Sequence, residues 1–135
     1  MKIANIKGFT IFENLGAILL FMVGIAGIMP VFIQSMDVSL KTDRAYTAYN
    51  LAKNRIENLK SFSFADLSLA AETNTLLDQD GVPDLDGNFE RSTAVTASYN
   101  SDPNLTQVTV TVNYKYRGAW ATNPIQMASV IYNGS

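Results

Sequence analysis

The chain has 135 residues, a formal charge of −2, no cysteine and no histidine. That length accommodates one compact domain plus an extra element, and the missing residue types remove thiolate chemistry, disulfides, the commonest metal ligand and the usual neutral-pH general base, so no enzyme is expected. A weakly acidic chain without a concentrated basic patch competes poorly for a phosphate backbone, which speaks against a nucleic-acid partner.

The opening segment, M-K-I-A-N-I-K-G, carries Lys2 and Lys7 and no acid. After it comes a long apolar run in which no charge occurs between Glu13 and Asp37. Its core, residues 15–33, would span about 28 Å as a helix, close to the hydrocarbon thickness of a bilayer. By the positive-inside rule the N-terminus is expected to stay cytoplasmic while the remainder is exported. The run is longer than the apolar region of a signal peptide, and no A-x-A-like site closes it. Glu13, a single carboxylate inside this apolar sequence, needs an explanation.

Helical periodicity continues past the apolar run. Met36, Leu40, Ala45, Ala48, Ala52, Ile56 and Leu59 recur on one face, with Asp37, Lys41, Asp43, Lys53, Asn54, Glu57 and Lys60 mainly on others. The spacing predicts one helix over 9–61, apolar all round in its first half and amphipathic in its second. Pro30 lacks an amide hydrogen and crowds the preceding turn, so a kink is expected there.

Residues 62–135 form the remaining region. A connection rich in Ser, Ala, Leu and Asp ends in D-Q-D-G-V-P-D-L-D-G, which reads as a loop with one helical turn near 65–73. The period then drops to two. F-E-R-S-T-A-V-T-A-S-Y, V-T-V-T-V-N-Y-K-Y and I-Q-M-A-S-V-I-Y give about three strands, the second placing Val108, Val110, Val112, Tyr114 and Tyr116 on one face. Such a small antiparallel sheet buries one side and must lie on something apolar, and the amphipathic half of the helix is the large surface that suits it. The fold class is therefore α+β.

Asp78, Asp80, Asp84 and Asp86 place several hard oxygen ligands in one turn-rich segment, the usual way of holding calcium. Their spacing does not complete an EF-hand loop, and D-G pairs are good turn formers in their own right. Solvated turns are the expectation, with calcium as the alternative and no other cofactor.

The register of the N-terminal residues carries more information than any one of them. A basic leader ends in Gly8, Phe9 opens the apolar run, and Glu13 is the fifth residue counted from Phe9, with G-F-T-I-F-E present in full and Pro30 further along. This pattern resembles the type IV pilin and pseudopilin family. The resemblance implies the pilin fold and a leader of residues 1–8. Prepilin peptidase would remove it between Gly8 and Phe9, and Phe9 would then be N-methylated. It also implies that Pro30 is the family's helix-kinking proline and that Glu13 pairs with the N-terminal amine of an adjacent subunit. Partners implied are other pilin or pseudopilin subunits, the peptidase and the inner-membrane assembly platform. The place implied is the bacterial inner membrane, followed by the periplasm or a filament outside.

Asn14 follows Glu13 where the family usually has a hydrophobic residue. The stretch N-L-A-K-N-R-I-E-N-L-K, 50–60, is similar to a pattern of PilV-type minor pilins and of the type II secretion pseudopilin GspI. The function implied is that of a minor pilin, a structural subunit of a type IV pilus or its priming complex. A minor pseudopilin of type II secretion is the near alternative. An uncleaved single-pass membrane protein whose periplasmic sheet binds a ligand or partner is the distant one.

Overall fold

The structure is a computed structural model that describes residue 8 and residues 10–134. It is α+β, with the order helix α1 (Ile11–Lys60), a 3₁₀ segment (Phe64–Ala70) and strands β1 (Glu72–Leu77), β2 (Phe89–Ala97), β3 (Leu105–Tyr116), β4 (Ala119–Trp120) and β5 (Ile125–Tyr132), with a short 3₁₀ turn at Tyr99–Ser101 before β3. The chain divides into two compact units, Met1–Ser39 and Leu40–Ser135, and α1 contributes to both.

In the first unit α1 is apolar and bare. Every residue from 10 to 36 is exposed, including Phe12, Phe21 and Phe32, and the helix is long and apolar enough to cross a membrane. Pro30 lies inside it, and the helix continues past that residue.

The second unit has a core. Ala48, Leu51, Ala52, Ile56 and Leu59 of α1 are buried in one cluster with Leu67, Ala70, Leu77, Phe89, Val108, Val110, Val112 and Tyr114. The periodicity of 45–59 therefore marks the face that packs, although Leu51 belongs to it as well. Met36 and Leu40 fall on the same helical stripe but are 62% and 59% exposed. Helical spacing says which residues share a face, and it does not say how far along the helix the sheet extends.

The sheet is antiparallel throughout, in the order β1-β2-β3-β4, with β5 also paired to β3. β2 runs beside β3 in unbroken register from Phe89↔Tyr114 to Ala97↔Thr106, and β5 lies on the other side from Leu105↔Tyr132 to Val112↔Ile125. Along β3, Thr106, Val108, Val110, Val112 and Tyr114 are buried and the residues between them half-buried, as the alternation predicts. Tyr116 packs at the border of the core.

Among the described residues five strands stand in place of the about three expected, and the two additional ones have physical reasons to escape a period-two reading. β1 contains a bulge between Glu72 and Thr75, with Asn74 in the left-handed region at φ 50°. Ser92 stabilises it, its hydroxyl accepting from the Asn74 N–H at 2.9 Å and donating to Asn74 Oδ1 at 3.0 Å. β4 has two residues and exists because Arg117 (φ 52°) and Gly118 (φ 78°) form a tight hairpin turn that returns the chain along β3. The segment near 65–73, expected as one helical turn, is 3₁₀ helix from Phe64 to Ala70, capped by the Ser63 hydroxyl on the Asp66 N–H, and then already strand.

Gly87 holds the loop against β1. A Cβ added there would fall on the backbone of Leu77, so no other residue fits without moving a strand.

A polar cluster fixes β1 to its neighbours. The Glu72 carboxylate accepts from Arg91 Nε at 2.6 Å, Arg91 Nη2 at 3.2 Å and Thr93 Oγ1 at 2.8 Å, which joins β1 to β2. Arg55 comes from α1 and donates from Nη2 to the Ala70 carbonyl at 3.0 Å. Its Nε is 3.2 Å from Glu72 Oε1 but is not aimed at it, so this N–H lacks an acceptor and the contact is one of charge with charge. Burial pushes the Glu72 carboxyl upward, but the hydrogen bonds from Arg91 and Thr93 and the charges of Arg91 and Arg55 outweigh it, and the group titrates below its ordinary value. Burial likewise draws Arg55 downward against the opposing effect of Glu72, with the Arg91 charge adding to the fall.

A carboxylate whose folded value is depressed stabilises the fold above its unfolded value of about 4.3 and ceases to do so as pH falls through the folded one. Below about pH 4.3 the midpoint of thermal unfolding should therefore fall steadily, and Glu72→Gln should flatten that part of the profile. At neutral pH the same variant should lose about 2–3 kcal/mol, less than a fully buried pair, because each partner keeps some water. Calorimetry of both proteins between pH 2 and 7 checks both effects.

Candidate functional site

The start of α1 is the place to which the sequence pattern points. Gly8 has nothing within 4 Å of where a Cβ would stand, and Phe9 lies outside the described residues. Beyond it Thr10 and Glu13 bond reciprocally. The Glu13 N–H donates to Thr10 Oγ1 at 3.3 Å, while Glu13 Oε2 accepts from the Thr10 N–H at 3.4 Å and stands 3.5 Å from the Thr10 hydroxyl. The bonds are long, but the pattern is a capping box, T-x-x-E, in which the Thr10 N–H finds an acceptor within the chain and the Glu13 N–H gains a second one beside the Thr10 carbonyl, to which it donates at 3.0 Å. A negative charge in the first turn also suits the positive end of the helix dipole. The T-x-x-E spacing is legible in T-I-F-E, but the distance of Glu13 from Phe9 does not disclose the bond.

Beyond Asn14, over residues 15–33, the helix offers apolar surface without a polar side chain. Gly16, Gly24 and Gly27 have open space around them, so the backbone is approachable along this length. Ile25, Ile28, Met29, Phe32, Ile33 and Met36 outline a shallow apolar hollow of about 400 Å³. An exposed surface of this kind calls for lipid or for other apolar helices, and burying one leucine or isoleucine side chain in either stabilises by about 1.5–3 kcal/mol.

The acidic loop folds largely onto itself. Asp78 Oδ1 accepts from the N–H groups of Asp80 and Val82, each at 2.9 Å, and Asp84 Oδ1 accepts from the Asp86 N–H at 3.0 Å. These are side-chain turns, and Gly81 at φ 84° completes the first. Asp78, Asp80 and Asp84 border a polar recess of about 260 Å³ with Arg44 and Asn88, and Asp86 does not line it. Among the described residues no group of three or more histidine, cysteine or carboxylate side chains is gathered for a metal. Spacing along the chain placed these four acids together, whereas the turns commit oxygens of two of them to backbone N–H groups.

No family model, curated protein or solved structure matches the chain. The functional reading accordingly rests on the residues themselves.

The cap can be tested apart from any function. Thr10→Ala removes one acceptor and should cost the first turn about 1 kcal/mol, so that amide exchange at Glu13 accelerates roughly five-fold. Hydrogen exchange on the full chain in micelles, with the amide of Leu51 as an internal reference that should not change, makes the measurement.

Proposed function

We propose that the protein is a minor type IV pilin, made as a membrane-anchored precursor, cleaved after Gly8 and incorporated with related subunits into a pilus or its priming complex. The observation that carries this reading is the register of Gly8, Phe9 and Glu13 at the head of a helix whose apolar length is entirely uncovered. A compact sheet unit following such a helix supports it. In this reading the protein catalyses nothing. Its first half resides in the inner membrane with the N-terminus cytoplasmic, and then packs among the helices of other subunits while the sheet unit faces the periplasm or the exterior. The assembly platform and prepilin peptidase are its transient partners.

Leader removal would create a free amine at Phe9, which the peptidase then methylates. Glu13 would exchange its long bonds to Thr10 for an ion pair with the amine of an adjacent subunit, at a depth where an unpaired carboxylate is costly. Because that pair forms at one axial offset, it would select the register of the subunit. A pseudopilus of type II secretion would use the same residues in the same roles.

The capping box also favours a second reading, an uncleaved membrane anchor with a periplasmic binding unit, because Thr10 gives Glu13 a role that needs no neighbour. Mass analysis of the N-terminus of the native protein separates the two. A mature chain beginning at methylated Phe9 is expected, and persistence of Met1 would overturn the pilin reading. Replacing Glu13 with Gln should leave cleavage essentially complete but lower incorporation into filaments by several-fold. Quantitative blotting of sheared filaments reads that ratio, and wild-type incorporation of the variant would remove the register role.

A further inference from the structure

In the second unit the β3–β4 hairpin builds a feature that assembly does not require. The register Lys115↔Trp120 folds the indole back beside β3, and Lys115 Nζ sits 4.9 Å from the centre of the indole ring. The same ammonium donates to the Gly87 carbonyl at 3.3 Å, so one side of the ring is held by a cation that is itself anchored. After β4 the Ala121 N–H donates to the Tyr114 carbonyl at 2.9 Å, which brings Thr122 and Asn123 around the open side. The result is a recess of about 340 Å³ lined by Tyr114, Tyr116, Trp120, Thr122, Asn123 and, from α1, Lys41.

No lining residue is acidic, and Lys41 is an exposed cation at its border. We infer that this recess binds an acidic saccharide of one or two sugar units. The volume lies at the low end of ligand pockets, which suits one or two rings and not an extended chain. Tyr116 and Trp120, which keep exposed area, offer flat apolar surface to the C–H face of a pyranose, while the Thr122 hydroxyl and the Asn123 amide match its hydroxyl groups in donating and accepting. The Lys41 ammonium selects the carboxylate through a charge-assisted hydrogen bond. A wholly apolar ligand would desolvate Lys41 without recompense, and a bare inorganic anion would leave the rings unused. The inference stands independently of the pilin reading, since it concerns residues of the sheet unit and Lys41 alone.

Trp120 is the chain's single tryptophan and is 38% exposed, so its emission reports on the recess directly. Full-length protein in neutral detergent micelles is titrated with digalacturonic acid, digalactose and inorganic phosphate, and the acid titration is repeated with Lys41→Gln. Lys41 is exposed, so the variant should fold, and its circular dichroism confirms that before titration. A saturable change in emission is expected with the acid, at least ten-fold weaker binding with digalactose and with the variant, and no displacement by phosphate at equal concentration. The proposal is overturned by an absent or non-saturating response, by equal affinity for digalactose, by an unchanged affinity in Lys41→Gln, or by displacement that shows an anion site indifferent to the sugar.

Discussion

A sheet with one apolar face has to be covered, and within the Leu40–Ser135 unit the cover is the amphipathic end of α1. Ala48 and Ala52, one turn apart and fully buried, put the smallest helix-forming side chains where the helix meets the sheet. Leu51, Ile56 and Leu59 then reach past them into the cluster that contains Val108, Val110 and Val112. β1, β2, β3 and β5 all put residues into or against this seam. β3 is central because it presents the longest alternating face to the helix, and β2 and β5 take their register from β3.

The polar cluster around Glu72 does for orientation what the seam does for burial. Hydrophobic contact is non-directional and would tolerate a helix rotated or shifted on its sheet. A carboxylate that receives hydrogen bonds from Arg91 and Thr93 and stands beside Arg55 tolerates far less, because each displaced partner leaves a poorly hydrated charge. The unaimed Arg55 Nε shows that even this arrangement is a compromise, in which the guanidinium satisfies Ala70 first.

These two kinds of interaction explain what could be read in advance. V-T-V-T-V and I-Q-M-A-S-V-I-Y were legible because their partners are hydrophobic and alternation is the direct signature of a half-buried strand. E-T-N-T-L-L was not, because β1 is held by a carboxylate, a bulge and the close approach of Gly87, none of which has a period. β4 is too short to show one. At the N-terminal site the distance from Gly8 to Glu13 is legible as a pattern, but that pattern does not contain the bonds between Thr10 and Glu13. Phe9, on which the leader reading turns, lies outside the described residues.

Thr10 and Glu13 also set a gauge. At a rise of about 1.5 Å per residue, Glu13 and the next charge, Asp37, are about 36 Å apart along the helix, against a hydrocarbon layer of about 30 Å. In a bilayer the surplus lets both carboxylates reach the headgroup zones, with a modest tilt taking up the difference. The first of them arrives with its hydrogen bonds already made, so the helix can shift toward the thinner or thicker parts of a membrane without losing its first turn. Within that tolerance the uncharged length, and no single residue, would decide how deep such a helix sits in a bilayer.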